Sequence, residues 1–351
     1  MSGNTFGTLF RITTWGESHG PAVGVVVDGC PSKISMDEST IQAWLDRRRP
    51  GQAATSTSRK ESDTAKILSG VFEGKTTGTP IMIMVENQDA KSSAYSSIAD
   101  VFRPGHGDFT YQAKYGIRDW RGGGRASARE TVGRVAAGAV ADAVLAKENI
   151  TVLAHTVALG SVTAQTFDPD CIRQNMFLCA DSDAARKMET EVAAVKKQGD
   201  SLGGIVEIRV QNVPAGLGEP VFDKLDADLA KALMSIGAVK GVEIGAGFRA
   251  AQLKGSQNND PISPEGFTTN NAGGILAGIS SGDEIIVRVA VKPIPSISME
   301  QTTIDTRSNP TRIKIQGRHD ICAIPRINVV CEAMVSLVIA DHLLRQRATG
   351  G

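Results

Sequence analysis

The sequence predicts an α+β fold, with helices packed on mixed or antiparallel sheets, and two observations carry that prediction. Strand-like and helix-like blocks occur in both halves of the 351 residues, yet they do not alternate strictly, as a doubly wound parallel sheet requires. The glycine fingerprints GxGxxG and GxxxxGKS/T are absent, so neither a Rossmann unit nor a P-loop is expected. No Pro/Ser-rich linker or low-complexity tract divides the chain. Residues 1–351 therefore read as one domain, with room for an internal pseudo-duplication too old to see.

Taken in order, Phe6 to Thr13 and Ala22 to Asp28 (AVGVVVD) read as strands. Ser35 is placed to cap a helix running to about Arg48, with Asp37 and Glu38 in its first turn, where negative charge suits the dipole. Residues 50–63 are small, polar and without apolar period, and are expected to form a mobile active-site loop able to fold over a ligand. Ala65 to Phe72 and Thr79 to Glu86 read as strands. Asp100 to Arg125 is Gly- and Arg-rich and aperiodic, and Ala126 to Lys147 reads as a long Ala/Val-rich helix. Strands are expected at Ile150 to Leu159, Gly203 to Val213, Gly241 to Phe248 and Glu284 to Val291. Helices are expected at Ala184 to Lys197, Phe222 to Ile236 and Pro325 to Arg345.

Composition narrows the function. Lys+Arg 38 against Asp+Glu 38 leaves no charge excess with which to neutralise nucleic-acid phosphates or an anionic membrane. Five cysteines, odd in number and without C-x-x-C spacing, argue against a disulfide framework or a cysteine zinc site. The N-terminus lacks a signal-peptide pattern. The greasiest stretch, Ile327 to Leu344, contains Asn328, Glu332, Asp341 and His342 and reads as a buried helix rather than a membrane span. A cytoplasmic setting is the expectation. The odd feature is Gly 37, roughly one residue in ten against a usual one in about fourteen.

Those glycines flank histidine and arginine. GESHG (16–20), RPGHGD (103–108) and GRHD (317–320) place His19, His106 and His319 in polar glycine turns. There backbone can approach a ligand and an imidazole can exchange protons near neutral pH. A turn-capping role is the alternative, and it is the reading given to His155 and His342, which lie in apolar elements. In RGGGRASARET (121–131) the glycines end at Arg125 where a helix is expected to begin, so its N-terminal N–H groups would bind an anion. Arg125 and Arg129, spaced i,i+4 at that positive end, would repel each other unless an anion lies between them. RRRPG (47–51) adds further cations. HExxH and GxSxG are absent, and no metal is expected, because His19, His106 and Asp320 stand beside glycine or arginine rather than further ligands. Several arginines with two histidines and no activated nucleophile suit elimination or isomerisation of a polyanionic metabolite.

At GESHG, RPGHGD, RGGGRASARET and GRHD, in this order, the sequence resembles the chorismate synthase family. Residues 213–245 and NAGGILAGISSGDEI (271–285) extend the resemblance from about Gly3 to Arg347. It implies a homotetramer with a β-α sandwich core. The implied reaction is anti-1,4-elimination of phosphate and a ring proton from 5-enolpyruvylshikimate 3-phosphate, giving chorismate, with reduced FMN required and no net redox change. By resemblance Arg48, Arg103, Arg129 and Arg318 are substrate-anion candidates, and Arg48 also meets NADPH in members that reduce their own flavin. His19 would protonate the leaving phosphate and His106 would sit by the flavin N1/O2 edge. Asp320, with Ser18 nearby, would relay the ring proton through flavin N5. The FMN set would be Arg125, Ala126, Ser127, Gly237, Ala238, Ala277, Lys292, Pro293, Ile294, Pro295, Ser296 and Arg318. The chain departs from the family pattern at Gly107 (usually alanine), Ala126 (serine), Gly237 (asparagine), Ala277 (glycine) and Ala54 (a second arginine linked to the nicotinamide cofactor). Loss of that arginine implies an external flavin reductase. A flavin-dependent oxidoreductase on an anionic metabolite, and a non-catalytic anion-binding assembly protein, stay open beside the lyase.

Overall fold

Two five-stranded sheets enclose a double layer of helices in the computed structural model, which describes residues 3–49, 62–88, 98–315 and 320–350. The helices are α1 (Glu38–Arg48), α2 (Asp108–Tyr115), α3 (Thr131–Leu145), α4 (Ser182–Gln198), α5 (Leu225–Met234), α6 (Gly255–Asn258) and α7 (Ile324–Thr349). The first sheet has the spatial order Thr5–Phe6, Arg11–Gly16, Ala22–Asp28, Ile81–Glu86, Ala65–Ile67. The second has Val162–Thr163, Thr151–Leu159, Gly204–Gln211, Ile285–Val291, Val239–Ile244. Every pairing within both is antiparallel, which fits the α+β class read from the sequence.

Each half runs strand–strand–helix–strand–strand–helix, with α1 and α3 in the first and α5 and α7 in the second. In each sheet the four strands of the repeat take the same spatial order, first, second, fourth, third, and a further two-residue strand lies beside the first. α2, α4 and α6 stand outside that pattern. α3 packs on the first sheet and on α7, and α7 packs on the second sheet, so the halves meet helix to helix.

That position explains the composition of α7. Its most apolar window is long and greasy enough to cross a membrane, but 94% of it is buried inside the chain. The chain itself supplies the large core that so apolar a helix needs. Where α3 crosses α7, a Cβ on Gly138 would lie 2.4 Å from the Ala333 Cβ, and on Gly133 it would lie 2.8 Å from the Gly24 carbonyl oxygen of the first sheet. α3 is thus gripped on both sides at glycines.

Several boundaries differ from the sequence reading. The strand expected over 6–13 is broken because Asp341 of α7 accepts the backbone N–H groups of Thr8, Leu9 and Phe10 at 3.0, 2.6 and 2.8 Å, which removes them from any ladder. The strand expected over 65–72 turns at Gly70 (φ +81°), after which Val71–Phe72 pairs with Lys75–Thr76. α1 is capped by Asp37, whose carboxylate accepts the Thr40 N–H at 2.8 Å, whereas Ser35 bridges to Lys75. Asp108–Tyr115, within the stretch read as aperiodic, is helical. The helix expected from Ala126 begins at Thr131, after two 3-10 turns at Gly124–Ala126 and Ala128–Glu130.

Candidate active site

The RGGGRASARE turn is the hub on which the other motifs converge. Gly122 (φ +67°) presses against the GESHG loop so closely that a Cβ there would lie 2.2 Å from His19 Cε1 and 2.9 Å from Ser18 Oγ. Ser18 is buried and its Oγ lies 2.9 Å from His19 Nδ1. Arg103 Nη2 lies against Gly123, and Gly107 against Ala126, which sets the RPGHGD loop beside the same turn. At Gly122 glycine is required twice over, by positive φ and by lack of room.

Within RPGHGD, Arg103 is buried and clamped by Asp108, through Nε at 2.8 Å, Nη2 at 2.8 Å and its backbone N–H at 3.1 Å. Arg118 approaches the same carboxylate at 3.7 Å. Burial alone would raise the Asp108 carboxyl, but the Arg103 and Arg118 contacts outweigh it and hold it below the usual range. His106 lies between Pro104 and Ser296: Nδ1 is 3.2 Å from the Pro104 carbonyl oxygen and Nε2 is 2.9 Å from Ser296 Oγ. Burial first, then the Arg103 charge, push its pKa down to about 4, so the ring is neutral at pH 7.

The KPIPS segment is fastened to its surroundings. Lys292 donates its backbone N–H to the Ala238 carbonyl at 2.9 Å and its ammonium to the Gly105 carbonyl at 2.7 Å. Ser201 donates to the Ile294 carbonyl at 2.7 Å, and Pro293 packs on Gly203. Gly237, Ala238, Lys292 to Ser296 and His106 are therefore neighbours. Ala277 is not brought to them: it turns the hairpin whose Gly278 carbonyl accepts the Leu225 N–H at 2.9 Å, at the start of α5. Gly237 follows the far end of that helix, about 15 Å of helix away.

A second cluster is built on Asp63, fully buried at its side chain and held at φ +46°. Arg48 donates to Asp63 Oδ2 at 3.0 Å and to Thr131 Oγ1 at 3.1 Å. Arg129 donates to Asp63 Oδ1 and, through Nε at 2.8 Å, to the Asn87 side-chain oxygen. Burial by itself raises the Asp63 carboxyl; the two guanidinium charges outweigh it and keep it ionised below the ordinary range. Arg326, in the first turn of α7, pairs with Asp320 and feels Arg48 and Asp63. Its guanidinium pKa is lowered to about 10, first by burial and then by the Arg48 charge.

These contacts correct two sequence inferences. Arg125 and Arg129 do not share a helix face: Arg125 turns to the Thr14 hydroxyl at 2.7 Å and the Gly16 carbonyl at 3.1 Å, Arg129 to Asp63. Their separation needs no bound anion. The Ala126 N–H, expected to serve a ligand, instead donates to the Gly123 carbonyl at 2.9 Å, because the chain coils into a 3-10 turn there. Ser127 Oγ accepts the Arg129 N–H at 3.3 Å. Arg318, His319, Ala54 and residues 50–61 of the expected loop lie outside the described residues. His155 and His342 sit apart, against Glu207 at 3.2 Å and Asp228 at 3.0 Å.

Asp63, Asn87, Asp108 and Arg326 were not singled out by the sequence. Asp63 is submerged in a polar tract. Arg326 did leave a signal, since a cation in the first turn of a helix opposes the dipole and needs a carboxylate partner. No group of three or more His, Cys, Asp or Glu suited to a metal occurs among the described residues.

Among these ion pairs Arg48, Arg103, Arg118, Arg129 and Arg326 outnumber Asp63, Asp108 and Asp320. An arginine-rich site beside His19 and a neutral His106, on a helix-filled antiparallel sandwich, defines an α+β protein equipped for acid–base work on a polyanion. The chain belongs to the chorismate synthase family, whose model matches residues 10–344. It is 68% identical over 349 residues to the chorismate synthase of Desulfosudis oleivorans, covering 99% of each chain, and 60% identical over 351 residues to that of Syntrophus aciditrophicus, again covering 99% of each. A crystal structure of chorismate synthase, 33% identical, superposes with a TM-score of 0.79 and covers 99% of this chain and 94% of its own.

Proposed function

We propose that this protein is a carbon–oxygen lyase that converts 5-enolpyruvylshikimate 3-phosphate to chorismate by anti-1,4-elimination. The C–O bond to phosphate breaks, a ring proton leaves, and a new ring double bond forms. The observation that carries the reading is the arginine cluster on Asp63 and Asp320 beside the His19 and His106 loops. A substrate with two carboxylates and a phosphate requires such a local excess of guanidinium. Arg48, Arg103 and Arg129 bind its anionic groups, with Arg318 completing the set. His19, oriented by Ser18, gives its proton to the departing phosphate. Asp320, held by Arg326, serves the removal of the ring proton.

Reduced FMN is proposed as the cofactor, and the donor chemistry fits it. Lys292 supplies a cation, Ser127 supplies a hydroxyl, and a Cβ on Gly237 would meet nothing within 4 Å, which leaves open space where the family's asparagine stands. Reduced flavin held there would supply electron density to the breaking C–O bond. A homotetramer in the cytoplasm and an external flavin reductase complete the proposal. Anaerobic incubation with reduced FMN and the enolpyruvyl substrate is expected to release phosphate with the absorbance of chorismate; no phosphate release sinks the reading. With oxidised FMN and NADPH alone no turnover is expected, because Ala54 replaces the second nicotinamide-linked arginine.

A further inference from the structure

The RPGHGD loop and the KPIPS segment meet at one side-chain hydrogen bond, between His106 and Ser296. The resemblance would give the Ser296 hydroxyl to the flavin, but the geometry engages it with the imidazole. The Pro104 carbonyl can only accept, so His106 Nδ1, 3.2 Å away, must carry the ring proton. In the neutral ring Nε2 is then an acceptor, and the Ser296 hydroxyl, 2.9 Å from it, must be the donor.

We propose that Ser296 is a positioning residue for His106: the Pro104 carbonyl sets the Nδ1–H tautomer, and the Ser296 hydroxyl, donating to Nε2, holds the ring with that nitrogen as its single basic site. This deepens the reading of His106 as an acid–base group and rests on it. Proton uptake then occurs at Nε2, with the hydroxyl turning from donor to acceptor and keeping its own hydrogen.

Both partners are held in place by contacts besides their own hydrogen bond. Gly105 (φ +70°) lets the histidine loop come so near Pro295 that a Cβ would lie 2.8 Å from the Pro295 Cβ, and its carbonyl takes the Lys292 ammonium at 2.7 Å. The serine segment is tied at Lys292 N–H to Ala238, at Ile294 to Ser201 and at Ser298 N–H to Gly199, at 2.9, 2.7 and 2.9 Å. So many fixed points make the 2.9 Å contact a built feature of the fold rather than a rotamer of one side chain. The charged groups around the ring favour neutrality. Arg103 and Lys292 oppose its protonation, and Lys240 stands beside Lys292. Asp108 alone favours protonation, and its charge is already shared by Arg103 and Arg118. A ring kept neutral leaves Nε2 as an acceptor, and the serine hydroxyl donates to it.

The test is long-range proton–nitrogen NMR of the ligand-free full chain labelled at histidine, with His106 among five histidines assigned by the loss of its signals in His106→Gln. Expected for the unmodified protein is a single tautomer protonated at Nδ1, staying neutral as the pH falls from 7 toward about 4. Ser296→Ala is expected to keep the Nδ1–H tautomer but to move the Nε2 nitrogen resonance downfield as its hydrogen-bond donor is lost, and Ser296→Thr to restore the parent shift. A proton on Nε2 in the unmodified protein overturns the proposal without any variant having to fold. So do ring shifts unchanged in Ser296→Ala. These spectra need no substrate or flavin, so failure of the proposed lyase reaction would show separately as absent phosphate release.

Discussion

At the scale of single residues, the site is a set of charges arranged around Asp63. One buried carboxylate receives Arg48 and Arg129 from different elements, so it fixes the orientation of two guanidinium groups that no shared backbone could align. Asp63→Asn keeps the shape and removes the charge, leaving both guanidinium groups short of their counter-ion. The expected cost is about 3–5 kcal/mol of stability, read from urea unfolding, because breaking a buried pair strands the partners. Substrate KM should rise at the same time. The pH dependence has a definite sign. The folded-state pKa of Asp63 lies below its unfolded value, so its contribution is present above the ordinary carboxylate range and is lost as pH falls through the depressed folded value. A shallower loss of stability through the acid range in Asp63→Asn than in the parent identifies this carboxylate as one source, beside the other depressed carboxylates such as Asp108 and Asp181. An unaltered profile in the variant excludes it.

At the scale of elements, the interleaved helices decide what the chain tolerates. α3 meets α7 through Gly138, where an added Cβ would fall 2.4 Å from the Ala333 Cβ and 2.6 Å from its Cα. Gly138→Ala would gain about 1 kcal/mol of helix propensity in an exposed helix. Here the obstacle is partly backbone and cannot swing aside, so a net loss of about 1–3 kcal/mol is expected from chemical denaturation. A stabilised variant would mean that the helices part more easily than their packing indicates. The same interleaving accounts for what was legible in the sequence. α7 and α3 announce themselves by apolar runs, since their burial is nearly continuous, and α4, α5 and the longer strands of the second sheet by periodicity, since they bury a regularly spaced face. Their ends do not, because they are set from a distance. Asp341 stops a strand 331 residues earlier in the chain by taking the Phe10 N–H, and the coiling of 124–130 delays α3 to Thr131. The motif histidines and arginines were equally legible as a set. Their partners were not: Asp63, Asp108 and Arg326 matter through contacts that no local spacing encodes.

At the scale of the whole molecule, the two ββαββα halves share one interior. α7 of the second half lies between α3 of the first half and the second sheet, and Asp341 on α7 ties down the backbone at Thr8 to Phe10. Neither half can therefore bury its helices alone: removing one exposes the apolar face of α3 or α7 in full. The chain is expected to unfold as a single cooperative unit. The tryptophans offer a direct check, because all three, Trp15, Trp44 and Trp120, stand in the first half. Tryptophan fluorescence thus follows that half, whereas far-ultraviolet circular dichroism follows helices and strands of both. Coincident urea midpoints from the two probes are expected, since loss of the first sheet uncovers α3 and with it the α7 contact. A fluorescence transition at clearly lower urea than the dichroism transition would show that the second half keeps α7 buried by itself, and would overturn the shared-interior account.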